Sequence, residues 1–251
     1  MIISKSKNFV YIHLDKCGGT SIETALEPFL SWSDIIIGST PFGEKLFSAY
    51  QEKHNSLKKH SNALDIKNFI GDDWNSMYKF ATVREPEKIM ISLYFYVKNM
   101  LEYHIDSRSL KDITHVAYEN KNKKEIFFLN NKAFTDDPYF FYFIKSSIDK
   151  TYIDGFIKNI INSKFDVSKT QISRIDDTVD LYDIDDISNN WNNILKKLNI
   201  VDDVELKKLN KSNKPNNIYL KEETVNLIRE HFADDYTLIP KRTGQNWGNR
   251  V

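Results

Sequence analysis

The first strongly apolar segment of the chain, residues 9–14, ends at the polar turn Asp15-Lys-Cys-Gly-Gly-Thr-Ser21, and apolar residues then recur at helical spacing as far as Leu26. A short apolar run bounded by a turn predicts a buried strand, and the periodicity after it predicts an amphipathic helix. The N–H groups of a glycine turn and of a helix N-terminus together favour an anion. In the alternative interpretation, the glycines only permit a tight turn and Thr20 is the N-cap of the helix.

The turn contains several groups that suit a phosphate or sulfate ligand. Its lysine adds a full positive charge, and the two hydroxyl side chains after the glycines are donors. Because the lysine precedes the glycines, the pattern is not the Walker sequence G-x-x-x-x-G-K-[ST]. The candidate ligand-binding residues are Lys16, Cys17, Gly18, Gly19, Thr20 and Ser21. Cys17 is either a thiol activated by Lys16 and the helix dipole or, as we favour, a small residue that fills the loop.

A second apolar run, residues 77–83, predicts another buried strand that ends at Arg84. Pro86 suits the first position of a helix. The almost continuously apolar sequence after it predicts a buried helix, in which Ser92 is the polar exception. The Arg84 guanidinium and the Ser92 hydroxyl could converge on a second phosphate. The alternative is a surface arginine in a salt bridge and a serine bonded to its own helix.

Together these two segments resemble the sulfotransferases that use 3′-phosphoadenosine 5′-phosphosulfate (PAPS), in particular the carbohydrate-directed branch. The resemblance implies a P-loop-like three-layer α/β fold, with a central and mainly parallel sheet flanked by helices and a helical lid region. It implies that the turn over residues 15–21, which we call the Lys16 turn, holds the 5′-phosphosulfate. It also implies that Arg84 and Ser92 hold the 3′-phosphate and that no metal is needed. Lys211, in a polar loop, would approach the nucleotide from above.

Transfer of a sulfonate group to a hydroxyl requires a general base, and histidine is the usual residue near neutral pH. The resemblance implies His60, which lies just before a helix that Ser61 or Asn62 is expected to cap. His54 is the second choice, because it lies on the same polar stretch. Lys16 is the other expected catalytic residue, since its charge would neutralise the leaving phosphate.

Two positions depart from the pattern of this family. Asp15 stands where proline is frequent, and a carboxylate beside a phosphosulfate is repulsive unless its side chain points away. Ile89 stands where arginine is frequent. A further histidine, His13, lies in the first predicted strand, and we expect it to be packed and hydrogen-bonded.

Composition is consistent with one domain over residues 1–251, since a chain of this length with 41% apolar residues can bury a large core. The 35 basic and 35 acidic residues cancel, which argues against a nucleic-acid partner. With one cysteine the chain has no internal disulfide, and it shows neither a secretory signal nor a membrane span. We therefore expect a soluble cytoplasmic protein of the bacterial type, whose partner is a hydroxyl acceptor on a sugar or polysaccharide.

The rest of the chain predicts further helices and one more strand. Helical periodicity with many aromatic residues covers residues 97–165, and amphipathic helices are expected at 188–198 and 220–232. Residues 171–175 predict a short strand.

Two other functions stay open at this point. A P-loop kinase would use ATP and Mg²⁺ and would be indifferent to a 3′-phosphate. A non-catalytic nucleotide-binding or interaction module would bind the nucleotide and would keep its role without His60.

Overall fold

A computed structural model describes residues 1–54, 57–106, 138–207, 209, 214–215 and 217–247. The chain divides into two compact units. The first comprises Met1–Glu85, Lys169–Lys211 and Phe232–Val251, and the second comprises Pro86–Ser168 and Ser212–His231. The first unit contains a β-sheet, and the described part of the second unit is helical.

The first unit is built on a five-stranded sheet. Its strands are β1 (Ile2–Ser4), β2 (Phe9–Ile12), β3 (Ile35–Ile36), β4 (Tyr78–Val83) and β5 (Asp180–Asp183). Their order in the sheet is β3-β1-β2-β4-β5. The pairs β2–β4 and β4–β5 are parallel, whereas β1 runs antiparallel to both of its neighbours. The expected α/β class is thus present, with a mixed sheet.

Strand β1 is the reason why the sheet is mixed and not mainly parallel as expected. Only residues 5–8 separate β1 from β2, and Asn8 in this turn has a left-handed φ of 55°. A connection this short joins antiparallel neighbours, because parallel strands need a crossover of roughly a dozen residues or more. The strands β2, β4 and β5 form the parallel part of the sheet, so their carboxyl ends meet at one edge.

Helices connect and cover the strands. In chain order they are α1 (Gly19–Leu26), α2 (Pro41–His54), α3 (Ala63–Ile70), α4 (Asp73–Ser76), α5 (Pro86–Asp106), α6 (Pro138–Ile148), α7 (Tyr152–Ile161), α8 (Ile187–Lys197), α9 (Glu222–His231) and α10 (Ala233–Thr243). Helices α5, α6, α7 and α9 belong to the second unit. The core of the first unit lies where α1 and α8 contact the sheet, and it includes Phe9, Tyr11, Ile22, Leu26, Phe80, Trp191 and Ile194.

Most of the elements expected from the sequence are present with slightly different ends. The strands expected at 9–14 and 77–83 are β2 and β4, and the helices expected at 188–198 and 220–232 are α8 and α9. Helix α3 begins directly after Asn62. The Asn62 side chain accepts the N–H of Asp65, and the Asp65 side chain accepts the N–H of Asn62. This reciprocal capping box satisfies two of the donors at the start of the helix.

The strand expected at 171–175 is wrong. Residues Ile172–Arg174 form a 3-10 turn. The carboxylate of Asp235 accepts the N–H groups of Gln171 and Ile172, each at 2.9 Å. These two donors are therefore used by a side chain from α10 and not by a strand ladder.

In the second unit, α5 begins at Pro86, as the sequence predicts. Its Tyr94 ring contacts the rings of Phe143 and Phe156 at centroid distances of 5.1 and 5.5 Å. Part of the aromatic sequence in α6 thus contributes to a core. The expected helical lid region is described only in part, because residues 107–137 lie outside the described residues.

None of the helices in the described part of the chain is both long enough and apolar enough to cross a bilayer. Helix α5 has 21 residues, but charged residues such as Lys88 and Lys98 interrupt its apolar sequence.

Candidate functional site

The turn after β2 forms the strand-turn-helix corner that the sequence predicts. Lys16 and Gly18 have left-handed backbone conformations, with φ values of 59° and 77°, and α1 begins at Gly19. Left-handed residues at close spacing are typical of turns that direct N–H groups into one concavity. The N-cap is Gly18 and not Thr20. The Gly18 carbonyl oxygen accepts the N–H of Ser21 at 3.0 Å. Since Gly18 has no side chain that could accept the N–H groups of Gly19 and Thr20, these two donors are suited to an anion.

Both glycines of the turn are also required by packing. A Cβ atom at Gly18 would lie 2.5 Å from Cδ1 of Ile184, and one at Gly19 would lie 2.1 Å from the imidazole ring of His13. Both distances are far shorter than a van der Waals contact. The glycines therefore permit the close approach of Ile184 and His13 as well as the turn itself.

Arg84, the residue after β4, reaches the same turn. Its Nη1 lies 3.5 Å from the carbonyl oxygen of Lys16, and its Nη2 lies 3.6 Å from Oδ1 of Asp185, two residues after β5. The Arg84 side chain is 19% exposed, and its Nε is buried with no hydrogen-bond partner among the described residues. The two segments that the sequence singled out are thus neighbours within the first unit. An anionic ligand would satisfy the unused guanidinium donor.

Lys16 is buried among charges of both signs. Burial lowers the pKa of the Lys16 ammonium to about 8, and the charges of Lys59 and Arg84 lower it further against the opposing effect of Asp15. The group is still mainly charged at pH 7, because this pH lies below its pKa. A bound anion would raise the pKa and stabilise the charged form.

A hydrogen bond to the backbone fixes the tautomer of a neutral His60. Its Nδ1 lies 2.9 Å from the carbonyl oxygen of His13, to which only a protonated nitrogen can donate. In the neutral ring the lone pair is therefore on Nε2, which lies 3.3 Å from Oδ1 of Asp15. Burial lowers the pKa of His60 below 6.5, with Asp15 opposing the shift. His60 is consequently neutral at pH 7 and able to accept a proton.

Arg174 is a residue of this site that the sequence did not indicate. Its Nη1 donates to Oδ2 of Asp15 at 2.7 Å, and its Nη2 donates to the carbonyl oxygen of His60 at 2.7 Å. Arg174 is buried. Burial alone would raise the pKa of Asp15, but the charges of His60 and Arg174 outweigh it and lower the pKa. The Asp15 carboxylate is thus directed to a cation. In the sequence, an acid within a predicted anion-binding turn was the one local signal that a buried cation would be needed to compensate it.

His13 is a structural residue, as the sequence predicts. Its Nδ1 lies 2.7 Å from Oε1 of Glu23, and Oε2 of Glu23 accepts the N–H of Ser39 at 2.8 Å. The α-amino group of Met1 also donates to Oε1 of Glu23, at 2.5 Å. Burial lowers the pKa of His13 from 6.5 to about 3 against the attraction of Glu23. His13 thus stays neutral and is not available as a base. Its ring packs against Gly19, and its carbonyl oxygen holds Nδ1 of His60.

Two other residues of the turn take part in packing. The Ser21 hydroxyl oxygen accepts the N–H of Leu209 at 3.0 Å, so this side chain ties α1 to a later loop. Cys17 is fully buried, and burial raises the pKa of its thiol strongly. A protonated, buried thiol is unreactive, which favours the interpretation of Cys17 as a small filling residue.

The other expected site residues are not brought to this site by the described contacts. Ser92 lies on α5 in the second unit. The neighbouring Ile89 is buried in that unit. Lys211 and the side chain of His54 lie outside the described residues.

Comparison of the chain with protein-family models, with curated proteins and with solved structures finds no match in any of the three. The likeness to the sulfotransferases therefore rests on the residues of the two segments. A function can be proposed only from the chemistry of the Lys16 turn, Arg84 and His60.

The buried neutral histidine makes stability depend on pH. The unfolded chain binds a proton at His13 below pH 6.5, whereas the folded chain binds it only below about pH 3. The unfolded state thus binds more protons in this window, so stability falls as the pH falls from 6.5. For one group the slope is about 1.4 kcal/mol per pH unit, and His60 contributes in the same direction. Urea denaturation at several pH values from 7.5 to 4.5 measures this slope.

The variant His13→Asn is expected to be less stable at pH 7.5 and to show a shallower slope. A wild-type unfolding free energy that stays constant between pH 6.5 and 4.5 would contradict a buried neutral His13.

Proposed function

We propose that this protein is a sulfotransferase with a P-loop-like fold, which transfers a sulfonate group from PAPS to a hydroxyl group, with a carbohydrate as the expected acceptor. The observation that carries this proposal is the meeting of the Lys16 turn with Arg84, whose Nη1 lies 3.5 Å from the Lys16 carbonyl oxygen. They meet where the neighbouring parallel strands β2 and β4 end. In open α/β sheets, ligands bind outside the carboxyl ends of the strands.

The turn and Arg84 would hold opposite ends of one nucleotide. The Lys16 ammonium and the N–H groups at the start of α1 suit the 5′-phosphosulfate. The Arg84 guanidinium, with its buried Nε, suits paired contacts to the 3′-phosphate. A phosphate there would compete with Asp185, which at 3.6 Å is a distant partner. Ser92 remains a proposed second donor to the 3′-phosphate.

Bound PAPS would supply the sulfonate group, which leaves its bridging oxygen as the acceptor hydroxyl oxygen bonds to sulfur. Lys16 would stabilise the charge that develops on the 5′-phosphate, and the product would be adenosine 3′,5′-bisphosphate. The transferred group carries less negative charge than a phosphoryl group, so we expect no metal requirement. The protein chiefly positions the reactants and stabilises charge.

His60 is the proposed general base. Its Nδ1–H is fixed on the His13 carbonyl oxygen, so Nε2 would accept the proton of the hydroxyl acceptor. The resulting imidazolium would be stabilised by Asp15, 3.3 Å from Nε2. Arg174 would keep Asp15 in place throughout.

Binding of adenosine 3′,5′-bisphosphate is the first test, with isothermal calorimetry on the wild type and Arg84→Ala. Loss of a paired, charge-assisted contact is expected to weaken binding roughly 10- to 100-fold. The control Arg229→Ala removes an exposed arginine of α9 and is expected to bind like the wild type. Binding of ATP with Mg²⁺ but not of the bisphosphate would favour the kinase and overturn the sulfotransferase.

The pKa of Lys16 predicts the pH dependence of this affinity. The charged ammonium attracts the phosphate, and it is lost as the pH rises through about 8. Bisphosphate affinity is therefore expected to fall between pH 7 and 9.5 in the wild type. Lys16→Met is expected to bind more weakly at pH 7 and to show a flatter profile. Parallel profiles for the two proteins would argue against a contact between Lys16 and the ligand.

His60 distinguishes an enzyme from a binding module. His60→Ala is expected to lower sulfonate transfer from ³⁵S-labelled PAPS to a panel of saccharides by about 10²–10⁴-fold, with bisphosphate affinity unchanged. His231→Ala, in α9 of the second unit, is the control and is expected to keep full activity. Equal transfer by His60→Ala and the wild type would exclude His60 as the base.

A further inference from the structure

The side chain of Gln171 bonds to both backbone groups of Arg84. Its Nε2 donates to the Arg84 carbonyl oxygen at 2.8 Å, and its Oε1 accepts the Arg84 N–H at 2.9 Å. Gln171 is only 5% exposed. One amide thus replaces a neighbouring strand at the first residue after β4, because it supplies the donor and the acceptor that a ladder would supply.

The same amide also contacts the Lys16 turn. Sγ of Cys17 lies 3.4 Å from Oε1 of Gln171 and 3.3 Å from the carbonyl oxygen of Asp15, so the thiol can donate its one hydrogen to either oxygen. Gln171 is therefore in contact with both of the segments that are proposed to hold the nucleotide. These segments also meet directly through the 3.5 Å contact between Arg84 Nη1 and the Lys16 carbonyl oxygen.

Gln171 is itself fixed by a buried carboxylate. Oδ2 of Asp235 accepts the backbone N–H of Gln171 at 2.9 Å and the side-chain Nε2 at 3.3 Å, and Oδ1 accepts the N–H of Ile172 at 2.9 Å. Asp235 is fully buried. Its contact with Nε2 orients the amide, because an oxygen at that position would face a carboxylate. Rotation of the amide would also break both bonds to Arg84.

We infer that Gln171 is a positioning residue, which fixes Arg84 and the Lys16 turn relative to each other and so sets the spacing between the two phosphate contacts. The expected effect of Gln171 on nucleotide affinity rests on the proposed function, whereas its expected effect on the conformation of the Lys16 turn does not. A residue that only fills space would be replaceable by an apolar side chain of similar size. Gln171→Met is that replacement, since it keeps the volume and removes all four side-chain hydrogen bonds.

Cys17 gives a readout that needs no ligand, because it is the only cysteine of the chain. We expect Gln171→Met to raise the rate of Cys17 labelling by iodoacetamide roughly tenfold, since the turn loses hydrogen bonds that hold it closed. Gln245→Met is the control, because it removes a partly buried glutamine that contacts Asp186 at 3.3 Å and does not touch the turn. Equal labelling of Gln171→Met and the wild type would overturn the inference.

The second readout is a double-mutant cycle on bisphosphate affinity. Gln171→Met is expected to weaken binding about tenfold in the wild type but by less than about twofold in Arg84→Ala, because Gln171 acts largely through Arg84. If the fold-losses of affinity caused by Gln171→Met and Arg84→Ala simply multiplied in the double variant, Gln171 would not act through Arg84 and the inference would be contradicted. Should Gln171→Met fail to fold, Gln171→Asn replaces it, since its amide is one methylene shorter and cannot reach both backbone groups of Arg84.

The two readouts separate failure of the inference from failure of the proposed function. A wild type that binds no bisphosphate would overturn the proposed function, and the labelling rates would still decide whether Gln171 holds the turn. Nucleotide binding with unchanged labelling would leave the proposed function intact and overturn the role of Gln171.

Discussion

The parallel pairing of β2 with β4 is the interaction on which the site depends. In this register Tyr11 is opposite Phe80 and Ile12 is opposite Ala81, so the two strands end close together. The Tyr11 hydroxyl lies 2.8 Å from Oγ1 of Thr82, which ties the strands near their ends. The turn after β2 and Arg84 after β4 are consequently neighbours, and a shift of the register by one residue would also reverse which side chains face the core.

Buried charge is the second constraint, because an uncompensated charge in the interior is costly. The structure places Asp15 between Arg174 and His60, so that the acid is compensated by a cation and directed to the imidazole. The same arrangement resolves the apparent conflict between the Asp15 carboxylate and the proposal that the Lys16 turn binds an anion. It also gives a protonated His60 a counter-charge, which the proposed general base would need during proton transfer.

The parts of the molecule that could be predicted from the sequence are those set by local pattern. The strands β2 and β4, the glycine turn, a helix start just after Ser61 or Asn62 and the packed state of His13 all follow from residues close together in the chain. Arg174, Gln171 and Asp235 could not be found in this way, because their contacts cross long stretches of sequence. The strand predicted at 171–175 is wrong for the same reason. The segment has a strand-like composition, but the N–H groups of Gln171 and Ile172 bond to Asp235 and not to a neighbouring strand.

The most direct test of the account is a ³¹P NMR titration of adenosine 3′,5′-bisphosphate with the protein, in which the two phosphates give separate resonances. Both resonances are expected to shift on binding to the wild type. Lys16→Met is expected to reduce mainly the shift of the 5′-phosphate, and Arg84→Ala mainly that of the 3′-phosphate. Saturable binding in which both variants affect the same phosphate, or in which neither affects either one, would contradict a nucleotide held between the Lys16 turn and Arg84.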